Sequence, residues 1–141
     1  MGAAQLAYTT TQLVDVDLGP VLLKLKSEGE LLHGEPIDPD AAELAYRRFL
    51  TLHKRYPNRT LVPSALIDLV WHYHILDTRK YAEDCNRIFG YFLHHDPYFG
   101  IDEETREQNR LAWADTQALW EEEFGEPLTG PSHRCSMKDC R

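Results

Sequence analysis

Four of the seven histidines of this 141-residue chain lie close together, among carboxylates and a cysteine. Residues 68–85 read DLVWHYHILDTRKYAEDC, and residues 92–100 read FLHHDPYFG. Imidazole, carboxylate and thiol groups are the side chains that bind transition metals or move protons near neutral pH. We therefore expect the chemistry of the protein in this part of the chain.

Helical geometry limits which of these side chains can act together. On a helix that advances about 100° per residue, His72 and His74 point roughly 200° apart, so they cannot chelate one ion within an unbroken helix. Asp68 and His72 are four residues apart and share a face, as two metal ligands or a carboxylate and its base would require. Asp77 follows His74 by three residues and can either orient that ring or cap the next helix.

His94 and His95 can join this group only if the preceding helix stops early. An unbroken helix would leave His95 roughly 15 to 20 Å from His72. If Gly90 instead adopts the left-handed conformation and ends the helix at Phe89, five extended residues can return roughly 16 Å toward His72. We favour this second alternative, because bulky aromatic residues follow the glycine directly.

The first functional hypothesis is a mononuclear metal site. Its predicted ligands are Asp68, His72 and His95, with His94, His74 and Cys85 in reserve. Two histidines and one carboxylate suit Fe(II) and oxygen chemistry, while the same set around Zn²⁺ would activate water for hydrolysis. An open site would make the protein an oxidative or hydrolytic tailoring enzyme for a small-molecule or peptide substrate. Copper is an alternative if soft ligands come from the C-terminal tail.

Other readings of the same residues stay open. The histidines can form a structural His/Asp polar core in a non-catalytic helical module that binds a protein partner. Metal-free acid–base catalysis by Asp68 and His72 is a third hypothesis, which requires a substrate pocket. His94 and His95 can also simply favour the negative end of a helix dipole. His53 lies on an apolar stripe, which favours a hydrogen-bonded buried imidazole over a residue of the site.

The periodicity of apolar residues predicts an all-α, single-domain bundle of about five helices. Asp38 and Asp102 are expected to begin helices, and Gly29, Gly90 and Gly125 are expected to end them. Helices are expected over about 15–28, from Pro39 to Tyr56, from Pro63 to about Leu76, from Thr78 to Phe89 and from Asp102 to Phe124, with a loop from Gly29 to Pro36. We assign residues 1–126 to the helical domain and residues 127–141 to a tail.

Composition narrows the classes of partner and location. A net charge of −8 and a pI near 5.3 argue against a nucleic-acid partner, because phosphate binding relies on clustered Lys and Arg. No apolar run approaches the roughly 20 residues of a membrane helix, and no signal peptide is evident, so we expect a cytoplasmic protein. Cys135 and Cys140 in the tail, with His133, can bind a metal, form a redox disulfide or do neither.

Several motifs resemble one known family. Trp71-His72-Tyr73-His74, the run from Asp77 to Cys85, Phe89-Gly90, His94-His95 and Pro97-Tyr98-Phe99-Gly100 resemble the glycine-rich-domain-containing-protein-like family. The resemblance extends over roughly residues 40–126. It implies a small bacterial single-domain member, whereas plant members have longer chains with glycine-rich segments. It supplies no catalytic residues that can be transferred.

Overall fold

The computed structural model describes residues 11–132, and this part of the chain is mainly helical. The helices are α1 Gly19–Ser27, α2 Pro39–Arg55, α3 Ala65–Leu76, α4 Thr78–Ile88 and α5 Glu103–Phe124. Strands β1 Leu31–Leu32 and β2 Glu35–Pro36 pair in an antiparallel hairpin within the expected loop. Its turn residues His33 and Gly34 have φ angles of 53° and 82°, as a tight hairpin turn requires. The predicted all-α fold is confirmed for the described residues.

Capping side chains place the beginnings of α2, α3 and α5 within about two residues of the predicted positions. The Asp38 carboxylate accepts the N–H of Asp40 at the start of α2, and Asp102 accepts the N–H of Thr105 at the start of α5. Ser64 caps α3, so this helix begins just after the predicted Pro63. These polar caps satisfy backbone donors that the first helical turn leaves unpaired.

The predicted helix over 15–28 was wrong at its beginning. Val14, Val16 and Leu18 are buried, while the residues between them are exposed, so this segment is extended rather than helical. The α2 side chains Thr51 and Arg47 satisfy its backbone: Thr51 accepts the N–H of Val14, and Arg47 donates to the carbonyl of Val14. The two-residue alternation of Val and Asp is a strand-like signal that the sequence analysis overlooked.

Helix α3 is the central element of the bundle, because it packs against α1, α2 and α4. Its buried residues include Ile67, Val70, Trp71 and Tyr73, which join the main hydrophobic core. Helix α3 also holds two polar residues that lie in different environments. Asp68 lies near its start and His74 near its end. None of the helices in residues 11–132 is long and apolar enough to span a membrane.

Gly90 ends helix α4, as the favoured alternative predicted. Its φ angle is 81°, and its N–H donates to the carbonyls of Cys85 and Asn86. The chain then returns toward α3. The hydroxyl of Tyr81 donates to the carbonyl of the buried Leu93, which anchors this return. The anchor fixes the segment that carries His94 and His95.

Candidate functional site

A pocket of about 330 Å³ lies where the segment after α4 meets α2 and α3. Residues from four separate parts of the chain form its walls. They are His53 from α2, Trp71 from α3, Arg59, Thr60, Leu61, Val62 and Pro63 from the connection before α3, and His94, His95, Asp96 and Phe99 from the segment after α4. A pocket with apolar walls and a few polar groups is the usual form of a small-molecule site.

His95 is held in this pocket by a carboxylate and an indole ring. Its Nε2 lies 2.6 Å from Oδ1 of Asp68. Since an ionised carboxylate only accepts hydrogen bonds, Nε2 carries the proton, and Nδ1 is the ring nitrogen left for another partner. The ring also stacks on Trp71, with centroids 4.2 Å apart. Trp71 is itself fixed, because its Nε1 donates to the Tyr81 hydroxyl at 2.9 Å.

His53 contributes a second imidazole to the pocket wall. Its ring contacts Phe49 and Trp71, at centroid distances of 4.6 and 5.9 Å. Burial lowers the pKa of His53 to about 4, so the ring is neutral at pH 7. Its Nε2 is shielded from solvent and has no hydrogen-bond partner among the described residues. The expectation that His53 is a hydrogen-bonded core residue was therefore wrong at this atom.

His74 lies in a different environment, inside the protein. Its Nδ1 is 2.7 Å from the Tyr46 hydroxyl, and its Nε2 is 2.8 Å from Oδ2 of Asp84. Asp84 also pairs with Lys80 at 3.1 Å and with Arg87 at 3.2 Å. Both ring nitrogens of His74 therefore have protein partners. In this arrangement neither nitrogen is available to a metal ion.

The protonation of this buried group follows from its surroundings. Burial lowers the pKa of His74, although the neighbouring Asp84 acts in the opposite direction. Burial alone would raise the pKa of Asp84, but hydrogen bonds from His74 and Lys80 leave it below its usual value. The pair therefore consists of a neutral imidazole and a carboxylate at pH 7.

The remaining predicted ligands are spread over the surface and the core. His72 is exposed, lies outside the pocket and contacts the edge of the Tyr73 ring. His94 is exposed at the pocket rim, where its ring contacts the ring of Phe92 at a tilt of 56°. Cys85 is buried and free. Within residues 11–132, no three His, Cys, Asp or Glu side chains are placed to hold one metal ion. The tail residues His133, Cys135, Met137 and Cys140 lie outside the described residues.

Sequence reasoning missed the partners of His74 and the position of His53 on the pocket wall. One signal was present for Asp84, because Tyr81, Asp84, Cys85 and Ile88 recur at the spacing of a buried helix face, and all four are buried. A carboxylate on such a face requires a partner inside the protein. No comparable signal marked Arg59, since its position at the pocket depends on the path of a loop.

Comparison with known proteins identifies the family. The sequence profile of the UCP032817-like family matches residues 24–124. The chain belongs to the UCP032817-like family. Two proteins of Arabidopsis thaliana, glycine-rich domain-containing proteins 1 and 2, are each 35% identical to it over 86 residues. These matches confirm the resemblance to the glycine-rich-domain-containing proteins.

The matched region of the UCP032817-like chain covers 57% of its own length but only 10% of each plant protein. The chain thus corresponds to about a tenth of those relatives. No solved structure matches it.

Proposed function

We propose that this UCP032817-like protein binds a small molecule in the pocket and exchanges a proton with it through His95. The observation that carries the proposal is the 2.6 Å contact between Asp68 and His95, a histidine that lines the pocket. The sequence had suggested acid–base chemistry by Asp68 and His72, subject to a pocket. In the structure, the histidine that lines the pocket beside Asp68 is His95.

The proposed role follows from the two ring nitrogens of His95. Asp68 accepts the proton on Nε2 and so favours the tautomer in which Nδ1 has a free lone pair. A ligand proton can move to Nδ1, and the carboxylate stabilises the resulting imidazolium. Trp71 holds the plane of the ring, which limits the directions from which a ligand can approach. General acid–base catalysis of this kind contributes roughly 10²- to 10⁴-fold in rate.

The test is a small-molecule screen that observes the histidine ring nitrogens by NMR. We expect binders to shift the His95 and His53 signals and to leave His74 unchanged. His95→Gln and Asp68→Asn should weaken binding or lower turnover, whereas His72→Gln, at an exposed position, serves as the control. If binders act equally on the His95→Gln variant, or shift only signals distant from the pocket, the proposal is wrong.

A transition-metal ion is a second candidate for this pocket, whereas the sequence had suggested a metal site with Asp68, His72 and His95 as ligands. It is supported by the unpartnered Nε2 of His53, because a neutral imidazole is the form that binds metals. It is also supported by the pairing of His95 with Asp68, because metal-binding histidines usually donate their second N–H to a carboxylate. The proposed protein ligands are therefore only two, His53 and His95, since no three such side chains within residues 11–132 are placed around one point, and the metals are iron, copper or zinc.

Elemental analysis after reconstitution with each metal tests this second candidate. We expect His53→Phe and His95→Gln to lose bound metal, and the exposed His72→Ala variant to keep it. Metal loss in His72→Ala alone would restore the ligand set predicted from the sequence. If no metal and no small molecule binds, the remaining hypothesis is the non-catalytic interaction module with a structural polar core. Bacterial origin and a cytoplasmic location stay predictions.

A further inference from the structure

We infer that the pocket binds a planar organic carboxylate, with Arg59 as the partner of its charge. This inference rests on the proposed small-molecule function and names the class of ligand. Two features of the wall carry it: a guanidinium without an acidic partner, and aromatic and aliphatic surfaces beside it.

Arg59 lies at the rim of the pocket and is exposed. No carboxylate among the described residues lies within ion-pairing distance of its guanidinium. Other arginines do have such partners: Arg48 pairs with Glu126 at 2.7 Å, and Arg55 pairs with Glu123 at 3.1 Å. The guanidinium of Arg59 can therefore receive a carboxylate through two parallel hydrogen bonds without first breaking an ion pair.

The walls beside Arg59 suit a flat apolar body. Trp71 and Phe99 supply aromatic surface, and Leu61, Val62 and Pro63 supply aliphatic surface. Flat rings pack on such walls by stacking or edge contacts, which add to the burial of apolar area. A pocket of about 330 Å³ is large enough for a single ring with one or two substituents.

His95 adds a polar group to the same wall. Its Nε2 contacts Asp68, so Nδ1 is the ring nitrogen left for a ligand.

Asp96 is the one acidic residue on the pocket wall, and its effect on the affinity for a charged ligand can be measured. One oxygen of Asp96 accepts the N–H of Tyr98 at 2.9 Å. If the ligand is a simple carboxylate, Asp96 repels it, and Asp96→Asn should strengthen binding. If the ligand also has a cationic group, the same variant should weaken binding.

The test uses benzoate, the isosteric neutral benzamide and inorganic phosphate as probes, with binding followed through the NMR signals of Trp71 and His95. We expect wild-type protein to bind benzoate about tenfold more tightly than benzamide, and phosphate weakly. Arg59→Gln should reduce benzoate binding to the level of benzamide. Arg79→Gln removes the same charge from an exposed position on α4 and should leave all three affinities unchanged.

Each other outcome overturns the inference in a defined way. Equal affinities for benzoate and benzamide, or an unchanged benzoate affinity in Arg59→Gln, would remove Arg59 as the charge partner. Phosphate binding as strong as benzoate would indicate a general anion site instead of a planar one. Absence of binding by all three probes overturns the carboxylate class, while the broader screen still decides the proton-transfer proposal. Unchanged His74 signals in both variants show that the fold is intact.

Discussion

The protein contains two histidine–carboxylate pairs that differ in what surrounds them. In the first pair, His74 is 1% exposed, and its two ring nitrogens contact Asp84 and Tyr46. In the second pair, the His95 side chain is 19% exposed, and one nitrogen contacts Asp68. The same residue types thus form two different contacts. We call the buried pair His74–Asp84 the sealed pair and the partly exposed pair His95–Asp68 the open pair.

The difference arises from the element that carries each histidine. His74 belongs to α3, where neighbouring helices enclose the ring and supply both partners. His95 belongs to the segment after α4, which the glycine at position 90 returns toward α3. His95 lines the pocket, and its side chain remains partly exposed. Accessibility of the second nitrogen, more than residue type, separates the two pairs.

The largest expected effect is the loss of stability when His74, the imidazole of the sealed pair, is removed. His74→Ala leaves a cavity, removes the partner of the Tyr46 hydroxyl and removes one of the three partners of Asp84, so we expect the unfolding free energy to fall by about 4 kcal/mol. His95→Ala removes one partly exposed hydrogen bond and should cost about 1 kcal/mol. Urea unfolding of both variants measures the difference. Equal losses would contradict the division into a structural and an open pair.

The second effect is a pH dependence caused by His53. Because burial lowers its pKa from 6.5 to about 4, the unfolded chain binds a proton in this range and the folded protein does not. Stability is therefore fully present above pH 6.5 and decreases by about 3 kcal/mol as pH falls to 4. His53→Phe should flatten this part of the profile, with a residual slope from His74. An unchanged slope in the variant would show that His53 titrates normally.

A smaller effect is expected from deleting one hydroxyl of the sealed pair. Tyr46→Phe keeps the buried ring but leaves Nδ1 of His74 without a partner, which should cost about 2 kcal/mol. Thermal and urea unfolding measure this loss. Ligand binding at the pocket should not change. A stability equal to that of the wild type would mean that the contact between Tyr46 and His74 contributes nothing.

The smallest effect is expected at His72. Its ring is exposed and lies outside the pocket, so His72→Ala should change unfolding free energy by no more than about 0.5 kcal/mol. Small-molecule and metal binding should both be retained. A loss of binding in this variant would return His72 to the site and favour the ligand set predicted from the sequence.

Much of the fold could be predicted, because local signals determine helix ends. Asp38, Asp102 and the glycines at positions 29, 90 and 125 all act as the sequence indicated, with positive φ angles at each glycine. The segment before α1 was mispredicted because two buried valines alternate with aspartates for only a few residues. So short a run does not separate a strand-like segment from the start of a helix.

The site could be predicted only in part. Asp68 and His95 were both named as members of one site, and the structure brings them together. Helical spacing could not show that His74 meets Tyr46, since that contact depends on the packing of α3 against α2. Spacing could not place His53 or Arg59 in the pocket either, because their positions depend on tertiary contacts between segments that are distant in the sequence.

Histidine-specific labelling with diethyl pyrocarbonate, read residue by residue by mass spectrometry, tests the central claim most directly. The reagent reacts with an accessible neutral ring nitrogen. We predict that His95 is labelled at least about tenfold faster than His74, because Nδ1 of His95 is free and both nitrogens of His74 are enclosed. Equal rates for the two residues, or faster labelling of His74, would contradict the distinction between the open pair and the sealed pair.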